Sequence, residues 1–358
     1  MKRLGLLLLS VSFISSASAS ALDPAALLAS YNLITAGNAT TNGDIEGAML
    51  VGGNFTGAAG TANLFNNTAH LPSDKTSYIY GNNSSGINVD NGGRLYIGGN
   101  NNGPVNLNAK GSIQVAGNNA GNINGSGAPG FIAVGGSNSG SINFNGAANL
   151  MGNSTAIVPV ASLSDVVSTL TSYSVTLAAK TANGTTSKVG NIAKFEYAGA
   201  GPAIFSLTAN DLTTLATNAN MDFLVPAADT PVVVNVDLQG ASWTAPSSGH
   251  FVSGSPLQNV LFNFYNGSGS TLSFSTLWEA SILAMGSEVI NGTPIEGSVA
   301  AASFTGHGEL HNYPLQHPPG DGGNENPPPA IPEPAPLGMM FGALLVLAGM
   351  LRRKAIRA

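Results

Sequence analysis

The sequence predicts an all-β fold: a right-handed parallel β-helix, or β-solenoid, with about 18 residues per coil and one α-helix alongside. Two series of residues predict it, and both advance in steps of 18, 18 and 19. A fixed short period indicates a repeat fold, because each unit lacks room for a core of its own. We expect the apolar series to stack inside the coil, on parallel strands about 4.8 Å apart. The first series is a glycine before a polar turn, at 81, 99, 117 and 136, and the second is the apolar set Ile87, Val105, Ile123 and Ile142.

Glycine and asparagine dominate the corners predicted between the strands. Glycine adopts the positive φ angles of tight corners without strain, and asparagine tolerates them while its side chain bonds to nearby backbone. Two roles stay open for the asparagine rows. They satisfy the corner backbone, or they present amides to sugar hydroxyls with Tyr80 and Tyr96 nearby.

Composition and charge exclude several classes of protein. Charged residues make up 8% of the chain and cysteine is absent, so no disulfide or thiolate metal site can form. Six of the 12 basic residues lie in the terminal segments, whereas all 18 acidic residues lie between Asp23 and Glu333. Six basic against 18 acidic residues give the chain between the termini a formal charge of −12. Because nucleic acids and anionic membranes bind basic patches, we expect no nucleic-acid partner.

The N-terminal segment, residues 1–21, has the pattern of a secretory signal peptide. Lys2 and Arg3 precede an apolar stretch that is too short to span a bilayer. Small residues then fit a small-x-small cleavage site that ends at Ala19 or Ala21. The pattern predicts export through the inner membrane.

Residues 22–313 form the predicted β-helix domain. The segment 44–57 begins Asp-Ile-Glu-Gly and contains a Val-Gly-Gly-Asn corner, and 295–306 repeats the Ile-Glu-Gly start near the other end. We interpret both segments as the same coil element. Between them, apolar residues recur at helical spacing, which predicts an α-helix at 161–178 against an outer face or an end of the solenoid.

The C-terminal part divides into a linker and a sorting segment. Residues 314–330 are rich in proline, which favours an extended linker. In 331–358, a Pro-Glu-Pro motif precedes an apolar stretch and a basic tail, which is retained on the cytoplasmic side. The pattern predicts a transmembrane helix at 337–351 and a single-pass membrane precursor. The motif is Pro332, Glu333 and Pro334, the apolar stretch runs from Leu337 to Leu351, and the tail is Arg352, Arg353 and Lys354.

This order of motif, apolar helix and basic tail resembles the PEP-CTERM sorting signal of Gram-negative bacteria. Isoleucine at 331 stands where valine is commoner in that signal. The resemblance implies transient anchoring in the inner membrane, processing by an exosortase-type protease, and an association with exopolysaccharide and biofilm. The mature protein would then lie at the cell surface or outside the cell.

The body of the chain resembles the choice-of-anchor A domain, which implies a surface adhesive module. The resemblance lies in Tyr-Asn-Leu-Ile at 31–34, Asp-Ile-Glu-Gly at 44–47 and Gly-Glu-Leu-His-Asn at 308–312. Asn-Val-Leu-Phe-Asn-Phe at 259–264 and Ile-Glu-Gly-Ser-Val-Ala-Ala at 295–301 are similar to the bacterial ice-binding β-helix fold. That fold likewise sets a long helix beside the solenoid.

Candidate metal ligands are few, and no metal site is predicted. His307 and His311 are four residues apart, which suits a metal on a helix, but the flanking glycines favour a strand or corner. Glu46 and Glu296 share the Ile-Glu-Gly context, and either a paired cation site or two solvated corners stays open.

No catalytic residue or cofactor site is predicted. Polysaccharide-cleaving β-helices need clustered carboxylates, whereas the coils offer Asp90, Arg94 and Lys110 scattered one to a coil. Ice binding needs a flat array of threonines, which are sparse in the repeats. Together with these absences, the two resemblances imply an exported, non-catalytic cell-surface or extracellular-matrix protein that is adhesive and associated with exopolysaccharide or other matrix components. The alternative is an ice- or carbohydrate-binding β-helix module.

Overall fold

A computed structural model describes residues 22–57, 61–72, 74–125, 130–144, 157, 161–246, 251 and 257–318. The predicted signal peptide, with Ala19 and Ala21, lies outside the described residues. The same holds for the linker beyond 318 and for the sorting motif Pro332, Glu333 and Pro334.

The fold prediction is wrong about a transmembrane helix. No helix among the described residues is long and apolar enough to cross a membrane. The longest of them has 16 residues, short for a bilayer span, and one side of it is polar and exposed. The stretch from Leu337 to Leu351 and the tail Arg352, Arg353 and Lys354 lie outside the described residues.

The described residues form 25 strands and three helices, and the strands pair in parallel except for β14 with β15. The helices are α1 (Pro24–Ser30), α2 (Leu163–Ala178) and α3 (Ala209–Ala216). The strands before α2 are β1 (Leu33–Thr35), β2 (Ala39–Thr41), β3 (Met49–Val51), β4 (Phe55–Thr56), β5 (Thr61–Leu64), β6 (Thr76–Ile79), β7 (Gly86–Val89), β8 (Arg94–Ile97), β9 (Val105–Leu107), β10 (Ser112–Val115), β11 (Ile123–Gly125), β12 (Ile132–Val134) and β13 (Ile142–Phe144). The strands after it are β14 (Thr185–Val189), β15 (Ile192–Glu196), β16 (Ala203–Thr208), β17 (Asn220–Leu224), β18 (Val232–Asp237), β19 (Trp243–Thr244), β20 (Leu257–Tyr265), β21 (Ser270–Phe274), β22 (Ala280–Asn291), β23 (Ile295–Glu296), β24 (Val299–Gly306) and β25 (Leu310–His311).

The stacked coils have three faces. Strand β24 bends from one face to the next, because its first half pairs with β1 and its second half pairs with β2. The helix face holds, in spatial order, β12, β10, β8, β6, β3, β1, β24, β22, β20, β18 and β16. The threonine face holds β19, β21, the second halves of β22 and β24, and then β2 and β4. The asparagine face holds β23, β25, β5, β7, β9, β11 and β13.

The chain starts in the middle of this stack and closes on itself. Strand β1 lies between β3 and β24, so Leu33 pairs with Met49 on one side and with Val299 on the other. From β1 the chain builds coils outward to β12, resumes after α2 at β16, and returns through β18, β20 and β22 to β24. The first and last coils are therefore neighbours, although they lie near opposite ends of the sequence.

The predicted apolar stack is confirmed. Ile87, Val105, Ile123 and Ile142 occupy matching positions on β7, β9, β11 and β13. The first three are fully buried, and Ile142 packs partly buried against the core. Burying one such side chain fully contributes about 1.5–3 kcal/mol, so this repeated position is a principal source of stability in this half of the stack.

The repeat glycines are required for a different reason from the one expected. None of the glycines at 81, 99, 117 and 136 has a positive φ angle. Instead, a Cβ atom on Gly99 would lie 2.7 Å from the carbonyl oxygen of Gly81, and one on Gly117 would lie 2.6 Å from that of Gly99. The glycines thus permit successive coils to approach closely at this corner, which explains why the period is so strict there.

The coil length of about 18 residues holds for only part of the domain. Between β7 and β11 the partner residues are 18 apart, whereas Ile204, Val233 and Leu261 follow one another at 29 and 28 residues. In the coil after β16, the extra residues form α3 and β17. The hydrogen bonds of a parallel ladder fix only the residues in the strands. Extra residues at the corners therefore leave the pairing of neighbouring strands unchanged. The handedness of the coil stays a prediction.

The predicted helix is confirmed as α2. It begins after Ser162, whose Oγ accepts a hydrogen bond of 3.2 Å from the backbone N of Asp165. Its buried side, with Val166, Leu170 and Leu177, packs on β18, β20 and β22. The expectation of one helix is incomplete, since α1 and α3 also lie on the domain.

Candidate functional site

Helix α2 and the residue Ala161 before it cover part of the helix face. Helix α2 covers β18, β20 and β22, and the Tyr80 hydroxyl donates to the carbonyl oxygen of Ala161 at 2.8 Å, just before α2. Burial raises the pKa of Tyr80 to about 12. Tyr96 packs against Tyr78 with ring centres 6.2 Å apart. Both tyrosines, which the sequence places near the asparagine rows, lie on the helix face.

The threonine face carries an outward row of mostly short polar side chains. Its central part is Thr305, Thr40 and Thr56, which pair in register across β24, β2 and β4. The residue before each one is fully or almost fully buried, as alternation across a strand requires. The hydroxyls of Thr40 and Thr56 are 2.8 Å apart. On the side toward β19, the row continues through Ile290, Ser273 and Thr244.

The same row extends into the 18-residue repeats. Isolated bridges join Phe55 to Asn83 and Asn83 onward to Asn101, Asn119 and Asn138. Among these, Asn83, Asn101 and Asn119 are fully buried and form an internal ladder in which each Nδ2 donates to the next Oδ1 at 2.7–2.8 Å. The residues that follow the bridges are exposed, and they are Ser84, Asn102, Ala120 and Ser139.

Corner asparagines border this face, and they satisfy backbone groups. The Oδ1 atoms of Asn38, Asn54, Asn82 and Asn100 each accept a hydrogen bond of 2.8–2.9 Å from a backbone N–H one coil further along the stack. Of the two roles left open by the sequence, corner satisfaction is the one that these contacts show. The Nδ2 of Asn82 also donates within the row, to Asn54 Oδ1 at 3.0 Å.

The asparagine face carries a polarised ladder. Asn143, Asn124, Asn106 and Asn88 each donate through Nδ2 to the Oδ1 of the preceding asparagine, over 2.5–3.0 Å. The ladder ends where Asn63 donates to Oδ1 of Asp44 at 2.7 Å. Because a carboxylate only accepts, Asp44 is a natural terminus for a chain of donors.

A cluster of ionisable groups continues this face beyond Asp44. His311 lies on β25, between Glu296 on β23 and the chain segment of Glu46. Its Nδ1 is 3.3 Å from Glu296 Oε1, and its Nε2 is 3.1 Å from Glu309 Oε2. The Oε2 of Glu46 accepts hydrogen bonds from the Asn312 backbone N at 2.9 Å and from Asn67 Nδ2 at 2.8 Å. We call Glu46, Glu296, Glu309 and His311 the closure cluster.

The closure cluster favours the charged imidazole. Burial of His311 opposes protonation, but the hydrogen bonds to Glu309 and Glu296 and the negative charge of Glu46 outweigh it. The pKa of His311 is therefore raised above its ordinary value. The cluster lies at the seam where the last coil meets the first.

The structure separates some predicted partners and joins others. His307 is exposed, with its backbone N bonded to Asn291, and it lies outside the closure cluster. Glu46 and Glu296 do come near each other, but the strand of His311 lies between them. Arg94 pairs with Asp74 at 2.5 Å, away from the closure cluster.

The other two charged residues of the repeats also lie apart. Asp90 accepts from Asn108 Nδ2 at 2.6 Å, and Lys110 is exposed with a φ angle of 65°. These contacts match the expectation that the charges of the coils are scattered.

The sequence reasoning missed the threonine row, although a signal for it exists. Phe-Thr-Gly occurs at 55–57 and again at 304–306. The structure aligns Phe304 and Phe55 through Ala39, and so places the two threonines in one row. Threonine is sparse in the regular repeats, and the row comes from coils outside them.

Comparison with known proteins gives one match. A family model described as "Putative Ice-binding-like adhesive domain" matches residues 24–312. This range runs from α1 to the end of the described β-helix at β25. No curated protein and no solved structure matches the chain.

Proposed function

Because this chain belongs to the family of ice-binding-like adhesive domains, we propose that it is an exported, non-catalytic adhesive protein of the cell surface or extracellular matrix. The threonine face is the adhesive surface, and its ligand is an ordered, hydroxyl-rich polysaccharide of the kind that surrounds the producing cell. The observation that carries this proposal is the in-register row of Thr305, Thr40 and Thr56 on an open face.

Short hydroxyl side chains on a rigid sheet suit such a ligand. Threonine is stiff at χ1 and the strands hold its backbone, so binding orders few additional groups. Each hydroxyl both donates and accepts, as sugar hydroxyls do. Because the row repeats about every 4.8 Å, a polymer lying along the stack makes many weak contacts at once, and these reinforce one another as in multivalent binding.

The threonine face suits this role better than the asparagine face for a structural reason. Its outward row crosses the seam between the last and first coils on threonines alone, from Thr305 to Thr40 and Thr56. On the asparagine face, the amide row meets Asp44 and then the closure cluster. A neutral polymer that crosses the seam therefore contacts threonines on the threonine face, whereas on the asparagine face it contacts the carboxylates of the closure cluster.

Ice binding is the second candidate function, and one observation favours it. The hydroxyl and methyl groups of Thr305, Thr40 and Thr56 repeat on a flat parallel sheet, as a lattice would require. Ile290 interrupts the row one coil before Thr305, which confines the regular threonine array to a few coils.

Replacing Thr40 and Thr56 together by tyrosine is expected to weaken binding to the producing cell's exopolysaccharide by about tenfold or more. The two rings would stand above the flat row and hold a polymer away from the neighbouring hydroxyls. Cosedimentation of the protein with purified polysaccharide, over a range of concentrations, measures the change.

Thr176→Tyr is the matched control, because Thr176 is exposed on the outer side of α2. We expect this variant to bind as the wild type does. Unchanged binding by the Thr40→Tyr, Thr56→Tyr protein would contradict the assignment to the threonine face. Thermal hysteresis measured on the same proteins decides the second candidate, since ice binding requires hysteresis in the wild type that the double variant loses.

Export and processing are part of the proposal, and the ends of the secreted protein test them. We expect the extracellular form to begin after Ala19 or Ala21 and to lack the residues that follow Pro332, Glu333 and Pro334. An exosortase-type protease is the proposed processing partner. Mass spectrometry of the protein from the culture medium reads both ends, and peptides from 337–358 on that protein would contradict the processing scheme.

A further inference from the structure

We propose that Glu46, Glu309 and His311 bind a divalent transition-metal cation of the Zn²⁺ class, which ties the first coil of the β-helix to the last. The inference is independent of the threonine face and of the adhesive function.

The three side chains reach one point from two distant parts of the sequence. Ile45 pairs with Leu310, so the strand segment of Glu46 runs directly beside that of Glu309 and His311. One ligand atom from each of the three side chains lies within 4.8 Å of the others. Because the backbone of all three is held in the parallel ladder, the arrangement needs only side-chain rotations to close around an ion.

Each nitrogen of His311 faces a carboxylate, and the two contacts suit different roles around a metal. Glu296 Oε1 lies 3.3 Å from Nδ1, where it accepts the N–H and orients the ring. Glu309 Oε2 lies 3.1 Å from Nε2, so a cation bound here would replace the Nε2 proton of the charged imidazole. A carboxylate on the far nitrogen of a histidine is the usual support for a metal-binding imidazole.

The distance between the two ligand atoms suits a shared ion. Zinc binds imidazole nitrogen and carboxylate oxygen at about 2.0–2.2 Å, so two ligands at a tetrahedral angle are about 3.3 Å apart. The separation of 3.1 Å between His311 Nε2 and Glu309 Oε2 is close to that value.

The charge of the cluster also calls for a cation. Glu46, Glu296 and Glu309 surround one imidazole, so the group keeps a net negative charge even when His311 is protonated. In the described part of the chain, no lysine or arginine forms a salt bridge with Glu46 or Glu309. Asp44, two residues before Glu46, differs because amide groups of Asn63 and Asn66 occupy both of its oxygens.

The ligand set selects the class of cation. Calcium takes six to eight oxygen ligands and magnesium keeps most of its waters, so neither uses an imidazole readily. Two carboxylates and one imidazole, with water in the fourth position, are a common environment for Zn²⁺. Glu46 is well held for this role, since its Oε2 already accepts two N–H groups and leaves Oε1 to the ion.

The bound cation would stabilise the closure of the fold. Its ligands come from β25 and from the chain just before β3, which are the last and first parts of the solenoid. An ion that binds only the closed form shifts the folding equilibrium toward it.

The test uses the whole chain, purified without a histidine tag and treated with EDTA before dialysis. We expect Zn²⁺ to bind with a stoichiometry of one by isothermal titration calorimetry and to raise the Tm by about 5 °C at a 100-fold excess over Kd. Ca²⁺ and Mg²⁺ at the same concentration are expected to leave the Tm unchanged. Co²⁺, used as a coloured substitute, should give visible absorption bands that depend on His311.

Glu309→Gln and His311→Gln are expected to lower Zn²⁺ affinity by at least about tenfold. The side chain of Glu309 is 49% exposed, so its variant folds without a buried change. The matched controls are His307→Gln and Glu288→Gln, which lie outside the cluster and should bind as the wild type does. The proposal is overturned if the wild type shows no binding, if His311→Gln binds equally well, or if Ca²⁺ binds in place of Zn²⁺.

Discussion

Replacing Val105 with aspartate is expected to lower the Tm of the protein by at least about 10 °C. Val105 is fully buried between Ile87 and Ile123 on neighbouring coils. The variant loses about 1.5–3 kcal/mol of apolar burial and leaves an unpaired carboxylate that costs several kcal/mol more. The total approaches the whole stability of an ordinary domain, about 5–15 kcal/mol. Differential scanning calorimetry of the purified variant measures the change.

Asn102→Asp is the matched control for Val105→Asp, because Asn102 is exposed three residues earlier in the same coil. It introduces the same carboxylate on the outside of the stack, where water solvates it. We expect its Tm to remain within about 2 °C of the wild type. A Val105→Asp protein that melts like this control would refute the inward stack.

Asn263→Leu is expected to have the second-largest effect, because Asn263 holds α2 on the sheet. Asn263 is fully buried, its Oδ1 accepts from Ser174 Oγ at 2.6 Å, and its Nδ2 donates to Ser174 O and to Asn235 Oδ1. Leucine of similar volume would leave these buried groups without partners, at about 1–3 kcal/mol each. We expect a Tm lower by about 5–10 °C and faster amide hydrogen exchange throughout α2.

Asn210→Leu separates this buried contact from a general effect of the substitution. Asn210 is exposed near the start of α3, where the backbone is helical and accepts leucine. Its replacement should change the Tm by no more than about 2 °C. If Asn263→Leu leaves exchange in α2 at the wild-type rate, the helix is held by its apolar contacts alone and the proposed role of Asn263 is wrong.

The inward stack and α2 could be predicted from the sequence because each rests on local periodicity. Ile87, Val105 and Ile123 are 18 residues apart in the sequence, and they are direct partners on neighbouring strands in the structure. Val166, Leu170 and Leu177 recur at helical spacing in the sequence, and they form the buried side of α2. Both patterns follow from geometry that repeats within a short window, so no distant contact is needed to read them.

The order of coils could not be predicted, because it depends on contacts between distant segments. Strand β1 pairs with β3 on one side and with β24 on the other. No local sequence pattern near Leu33 or Val299 specifies that pairing. The similarity of the two Ile-Glu-Gly segments indicates equivalent coil elements, but it does not show that these elements are neighbours in space. For the same reason, the threonine row and the closure cluster emerge only when the first and last coils are joined.

Closure of the fold and continuity of the proposed adhesive face are therefore coupled. Thr305 belongs to the last coil, whereas Thr40 and Thr56 belong to the first part of the chain. The proposed cation site lies at the same seam, on the adjoining asparagine face. Loosening of the seam would divide the row at Thr305 and Thr40, so we expect conditions that open the closure to weaken adhesion as well.

Hydrogen–deuterium exchange of the protein bound to exopolysaccharide tests the central claim most directly. A polymer lying on the threonine face shields the amides beneath it from solvent. We expect peptides that cover 38–57 and 302–307 to gain protection on binding, whereas peptides from the outer side of α2 keep their exchange rates. Protection confined to α2 or to β7, β9 and β11 would contradict the account, because the ligand would then contact the helix face or the asparagine face.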